Sequence, residues 1–259
     1  MIMKNIAVVT GASSGMGKQF ALTLKDHGSY DEIWLIARGA RNLGETAKQI
    51  PIPAKIVPLD LTDPKSFEQY AELLSKEEVN ISMLINASGF GIFESVENTS
   101  EKDLDDMVDL NCKALMKMTK ISLPYMSEGS RIIQIASMAA FQPIPYIDVY
   151  GATKAFVLSF SRALNQELKK KKIHCMAVCP YWTKTKFFDR AIDQKKEQIV
   201  KYYAVMYTPE QIISRAWKDL EKGKDLSIYG FIARAQALLC KLLPHKLVMY
   251  IWKKQQKLD

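Results

Sequence analysis

Short apolar runs alternate with amphipathic segments along nearly the whole chain, and that alternation leaves few folds open. Residues 5–10, 32–37, 54–59, 82–86, 131–137, 173–179 and 226–229 are candidate strands, each rich in Val, Ile, Leu, Ala, Met or Cys. Between them, residues 15–27, 64–76, 101–126, 150–171 and 209–222 place apolar residues at helical spacing. Strands that are apolar almost throughout need cover on both faces. Strands separated by helices run parallel, so the pattern predicts an α/β domain with a parallel sheet between two helical layers. Thr208, Pro209 and Gln211 carry the signature of a capping box at a helix start. At 259 residues the chain is long enough to bury a large core as one domain over residues 1–230. No repeat or long linker divides it.

Two places in this frame carry chemistry. The first is Gly11-x-x-x-Gly15-x-Gly17, directly after the first strand and at the start of a helix. Glycines there let the backbone turn tightly and approach a pyrophosphate, which the helix N-terminus then attracts. Candidate contacts on this loop are Gly11, Ser13, Ser14, Gly15, Met16 and Gly17. The second is Tyr150-x-x-x-Lys154, with Ser137 thirteen residues upstream at the end of a strand. One helical turn separates the Tyr and Lys, so both face one side. A nearby ammonium favours tyrosinate and is expected to lower the Tyr pKa from about 10 toward neutrality.

With both elements in this order, the chain resembles the compact single-domain members of the short-chain dehydrogenase/reductase family over about residues 4–230. The resemblance implies a Rossmann-type doubly wound sheet and interconversion of a ketone or aldehyde and an alcohol with a nicotinamide cofactor. It makes Tyr150 the general acid/base, with Lys154 lowering its pKa and holding the ribose. Ser137 then orients the substrate oxygen, and Asn111 keeps a proton-relay water beside the lysine. Asp60 and Leu61 resemble the pair that contacts adenine. Asn86-Ala87-Ser88-Gly89 stands where the family has Asn-Asn-Ala-Gly, making Asn86, Ala87 and Gly89 cofactor-wall residues. Pro180, Thr183 and Thr185 match the segment that cups the nicotinamide, although Tyr181 replaces its glycine. The family's long helices, here 101–126 and 150–171, imply a homodimer or homotetramer.

Cofactor choice turns on the end of the second strand. An acidic residue there would bind the ribose hydroxyls of NAD, but this strand ends at Arg38, with Asp31 and Glu32 at its other end. Arg38 favours the 2′-phosphate of NADP. The second basic residue that some NADP enzymes of the family carry in the glycine loop is here Ser14. Residues 180–207, rich in aromatics beyond a strand end, are the candidate substrate lid and suggest a hydrophobic ketone or alcohol.

The rival reading is a non-catalytic NADP-sensing module, which the retained Tyr150 and Lys154 disfavour. The three histidines and four cysteines lack metal-ligand spacing, so no metal is expected. Cys175 and Cys179 stand about 13 Å apart along a strand, too far for a disulfide. With no cleavable signal pattern and no span of ~20 apolar residues, the chain reads as cytoplasmic, and nothing points to nucleic acid.

Residues 231–259 form a basic amphipathic helical tail, with six Lys or Arg against Asp259 alone. Phe231, Ala235, Leu238, Leu239 and Leu242 share a helical face, and Leu247, Val248, Ile251 and Trp252 continue it after Pro244. The tail is expected to bury these groups on the protein or a second subunit. Peripheral contact with an anionic membrane is the alternative.

Overall fold

The computed structural model describes residues 3–192 and 198–258, so residues 193–197 of the candidate lid lie outside the described residues. Seven strands run parallel in the order β3-β2-β1-β4-β5-β6-β7. In chain order the elements begin with β1 (Lys4–Thr10), α1 (Gly15–Thr23), β2 (Glu32–Ala37), α2 (Ala40–Ala47), β3 (Ala54–Pro58), α3 (Lys65–Lys76) and β4 (Val79–Asn86). They continue with α4 (Glu101–Val108), α5 (Leu115–Ser122), β5 (Arg131–Ile135), α6 (Asp148–Glu167), β6 (His174–Val178), α7 (Phe187–Ala191), α8 (Pro209–Glu221) and β7 (Leu226–Ser227). Two tail helices close the chain, α9 (Phe231–Leu242) and α10 (His245–Gln256), broken at Pro244. This is the parallel sheet between helical layers that the alternation predicts, with the Rossmann-type winding that the resemblance implies.

Along β1 the side chains alternate between two cores. Ile6 and Val8 pack with Tyr70, Leu74, Met118 and Leu164, while Ala7 and Val9 pack with Phe20, Leu24, Ile213 and Trp217. Both faces of the strand are therefore dry, which explains its continuous apolar run. Thr208 accepts from the Gln211 N–H while the Gln211 side chain accepts from the Thr208 N–H, completing the box at the start of α8.

Three differences from the sequence expectation matter. Helix α2 was not among the expected segments; its short stretch contains Gly44 in mid-helix, a poor helix former. The expected helix 101–126 is interrupted: Asp109–Ala114 forms a widened π turn between α4 and α5, and Asn111 sits in it with no exposure. In the tail, the buried face is Ala233, Ala237, Cys240, Val248, Trp252 and Gln256, whereas Phe231, Leu238, Leu239 and Leu242 stay exposed. Of the expected face, Val248 and Trp252 pack on the protein; beside the turn Met138–Phe141 the residues of α9 that pack are the small Ala233, Ala237 and Cys240, and the chain itself does not cover the larger ones.

The reversal of strand order between β1 and β4 opens a crevice at their carboxyl ends. The turn there depends on two close approaches. A Cβ on Gly11 would meet the Ala87 carbonyl oxygen at 2.8 Å, and one on Gly17 would meet the Gly11 carbonyl oxygen at 2.4 Å. Thr10 Oγ1 accepts from the Ala87 and Ser88 N–H groups at 3.0 and 3.2 Å, locking β1 to the loop after β4.

Trp217 is the largest group joining α8 to α1. It meets Phe20 edge-on at 5.2 Å, stacks on His27 at 4.3 Å and donates to Thr23 Oγ1 at 2.9 Å. Trp217→Ala is expected to lower unfolding free energy by about 3–5 kcal/mol, measured by urea denaturation.

Candidate active site

Helix α6 carries Tyr150 and Lys154 toward the carboxyl end of β5, and the chain leaving β5 brings Ser137 to meet them. All three line one largely apolar cavity of about 480 Å³, whose walls also include Met16, Ala87, Gly89, Pro180, Thr183 and Thr185. Lys154 Nζ donates to the Ile135 carbonyl at 2.8 Å and lies 5.7 Å from the Tyr150 ring centre. Ser137 Oγ accepts from the Ala139 N–H at 3.1 Å, and its hydroxyl faces that of Tyr150 at the cavity wall.

Burial pushes the Tyr150 hydroxyl up to about 12, opposed by the Ser137 hydroxyl facing it. Burial likewise pushes the Lys154 ammonium down to about 8, against a smaller pull from Cys112 and Cys179. Desolvation is the largest influence on both groups, and the Lys154 ammonium is directed at the Ile135 carbonyl.

Asn111 is behind the cavity wall. Its amide donates to the Phe90 carbonyl (2.8 Å) and Thr153 Oγ1 (3.0 Å), and its oxygen accepts from the Phe90 N–H (3.0 Å). Asn86 also turns inward, donating to Thr119 Oγ1 and Gln134 Oε1 at 3.1 and 3.0 Å, so only its backbone borders the crevice. Its Oδ1 is buried without a hydrogen-bond partner among the described residues. Asp60 accepts from the Thr62 N–H and hydroxyl at 3.0 and 2.8 Å. Desolvation raises its pKa, but these bonds and the Arg38 and Lys102 charges outweigh that and hold it below the usual range. Leu61 is buried in the core beside it.

Gly11, Ser13, Ser14, Gly15 and Gly17 form the β1–α1 turn, and Thr185 faces Gly15 across the crevice, its Cβ 3.7 Å from where a Gly15 Cβ would stand. Tyr181 is absent from the residues with positive φ, so replacing the family's glycine here needs no left-handed backbone. Arg38 is exposed at the end of β2, before α2. Arg41 stands in the first turn of that helix, which has no acidic residue. Asp31 is committed to the Asn5 N–H (2.7 Å) and Glu32 to Trp34 Nε1 (2.7 Å), at the opposite end of the strand.

The lid packs as an aromatic cluster. Phe187 lies 5.3 Å from Tyr150, Trp182 meets Tyr203 edge-on at 5.0 Å, and Trp182 stacks with Trp252 of α10 at 6.4 Å. Several wall residues carry no sequence motif: Phe93, Gln142 and Ile144, and from the tail Leu239, Leu243, Val248 and Trp252. Gly91, which also belongs to no motif, lies against Tyr150; a Cβ there would meet the ring at 2.7 Å, so its absence admits the ring. Arg41 was legible as a second cation after the second strand.

The dinucleotide fits what is present: a glycine turn at a switch point, a helix N-terminus and a Tyr–Lys pair around one cavity. Comparison with known proteins agrees. Residues 5–196 match the short chain dehydrogenase family. An uncharacterized oxidoreductase of Staphylococcus epidermidis is 30% identical over 181 residues, covering 69% of this chain and 78% of that protein. The very-long-chain 3-oxoacyl-CoA reductase of Bos taurus is 29% identical over 257 residues, covering 94% and 78% respectively. A short-chain dehydrogenase from Sphingobium yanoikuyae, solved with NADPH, superposes with a TM-score of 0.76 at 25% identity over 95% of each chain. The chain belongs to the short-chain dehydrogenase/reductase family of NAD(P)-dependent oxidoreductases.

Proposed function

We propose that the protein is an NADPH-dependent reductase of a hydrophobic ketone bearing a long apolar chain, with Tyr150 as proton donor. The observation that carries this reading is the convergence of Ser137, Tyr150 and Lys154 on an apolar cavity that Met16, Ala87 and Gly89 border. The similarity to a reductase of very-long-chain 3-oxoacyl-CoA supports an acyl-type ketone. The four cysteines, all free, fit a reducing cytoplasm.

A bound nicotinamide dinucleotide supplies the hydride. Gly11, Ser13, Ser14, Gly15, Met16 and Gly17 would hold its pyrophosphate, with Asp60 and Leu61 near the adenine. Ala87, Gly89 and the backbone of Asn86 would form the wall, and Pro180, Thr183 and Thr185 would border the nicotinamide. Ser137, whose hydroxyl faces Tyr150, would turn its O–H to the ketone oxygen when substrate is bound. Tyr150, kept protonated at neutral pH by burial, passes its proton to the alkoxide oxygen as charge develops there. Lys154, still charged at neutral pH, supports the departing proton's replacement and would hold the ribose. With the Asn111 amide fully engaged, the relay water would rest on main-chain atoms of the widened turn, and Asn111 would position the Phe90 segment against α6. Val108, Met116 and Phe156 leave apolar groups exposed on α4, α5 and α6, which supports pairing of subunits through those helices.

Tyr150→Phe is expected to cut ketone reduction by at least about a hundredfold while leaving NADPH affinity nearly unchanged. Steady-state kinetics and fluorescence titration check this. Dinucleotide binding with no turnover of any ketone in a broad panel would favour a sensor instead.

Lys154→Met separates function from stability. The folded lysine titrates near 8, below its unfolded value of 10.5. Between those pH values the unfolded chain binds a proton that the folded chain does not, so this group's contribution rises with pH across the window. Its full cost is present below pH 8. At pH 7 Lys154→Met is expected to abolish turnover yet raise unfolding free energy by about 2 kcal/mol, after loss of the Ile135 hydrogen bond. Urea denaturation at pH 7 and pH 10 measures both the gain and its disappearance.

Arg38 carries no ion pair or hydrogen bond among the described residues, so its guanidinium is available to a 2′-phosphate. Arg38→Asp is expected to weaken NADPH at least tenfold and improve NADH relative to it. Equal binding of the two by the natural protein would remove Arg38 from the site.

A further inference from the structure

The tail helices present an apolar surface that the chain itself leaves open. Their inner side is anchored firmly. Trp252 Nε1 donates to the Pro145 carbonyl at 3.1 Å, and Gln256 accepts from the Lys201 and Tyr202 N–H groups at 2.9 Å and donates to the Tyr202 carbonyl at 3.0 Å. With Ala233, Ala237 and Cys240 buried as well, the outward face of α9 and α10 is fixed. On it stand Phe231 (80% exposed), Leu242 (71%), Tyr250 (59%) and Leu238 (58%), flanked by Ile232 and Leu247. Of the fifteen large apolar side chains exposed among the described residues, eight fall between Phe231 and Ile251, so the apolar exposure is concentrated.

Charge selects what covers this face. Residues 231–258 contain six Lys or Arg and no Asp or Glu. A second copy docked through the same face would oppose two such cationic sets, since a two-fold interface brings a surface against itself. An anionic lipid surface answers both features: acyl chains cover the apolar groups, and each cation near the headgroups adds about 1 kcal/mol. No helix among the described residues is long and apolar enough to cross a membrane, so the contact is peripheral. Phe231, Ile232, Leu239 and Ile251 are at once exposed and part of the cavity wall. The apolar lining therefore runs without a break from the site to this surface.

We propose that α9 and α10 form a docking surface for anionic bilayers that turns the mouth of the cavity toward the lipid. Docking stands on the surface alone; entry of an apolar ketone from the bilayer rests on the reductase reading above. The test is co-sedimentation of the full chain with phosphatidylcholine vesicles, with and without phosphatidylserine. The chain is expected to pellet with the phosphatidylserine vesicles and to be released at least tenfold by high salt. Leu238→Glu combined with Leu242→Glu should abolish pelleting. Neither residue lines the cavity and both are exposed, so melting temperature, NADPH binding and reduction of a small water-soluble ketone should not change. Failure to pellet, or equal salt-insensitive pelleting on pure phosphatidylcholine, overturns the proposal. So does self-association in analytical ultracentrifugation that the double variant removes while vesicles are ignored; that result assigns the face to a second copy. NADPH binding is read separately, so loss of docking and loss of the reductase reading are distinguishable.

Discussion

The backbone contact between the β1–α1 turn and the loop after β4 is the constraint on which the site depends. Gly17 lies against Gly11, and Gly11 against Ala87 and Ser88, at distances that exclude any side chain. Because β1 and β4 are neighbours at the point where strand order reverses, this contact sets the shape of the crevice. Thr10 holds the two loops together through its hydroxyl, so the glycine turn and the Ala87–Gly89 wall form one rigid rim. The next strand out, β5, receives the Lys154 hydrogen bond and thereby fixes α6 with its tyrosine over the same crevice.

The site is held under electrostatic tension. A buried lysine stands beside a half-buried tyrosine, and desolvation moves each toward its neutral form. That arrangement costs stability and supplies a protonated acid at the cavity wall. Asn111 adds a second departure from regular structure, a widened turn whose amide ties α4 and α5 to Phe90 and to Thr153 of α6. Such turns occur most often at functional sites, where they re-aim a side chain that a regular helix would point elsewhere.

How much of this is legible in the sequence follows from the kind of signal each feature leaves. The inner strands, buried on both faces, leave continuous apolar runs, the edge strands β3 and β7 leave shorter ones, and the glycine and Tyr-x-x-x-Lys spacings mark the two halves of the site. The widened turn at Asn111 leaves no such mark, because its cause is a tertiary bond to Phe90 rather than local propensity. The inward turn of Asn86 likewise follows from Gln134 and Thr119, residues far away in sequence. In the tail, large apolar groups at helical spacing read as buried. Val248 and Trp252 are, whereas beside Met138–Phe141 the buried residues are the small Ala233, Ala237 and Cys240, a contact that spacing does not mark. Desolvation of Tyr150 also depends on the surrounding fold, so the residue spacing carries no mark of it.

Calorimetric titration of NADPH into the natural protein and into Gly17→Ala addresses the central claim most directly, with circular dichroism confirming that the variant keeps its helices. A dinucleotide held on the β1–α1 turn must lose affinity when a Cβ forces α1 away from Gly11. The account predicts one NADPH bound per natural chain and at least a tenfold weaker constant, about 1.4 kcal/mol, for the variant. Equal affinity in the two proteins would contradict it.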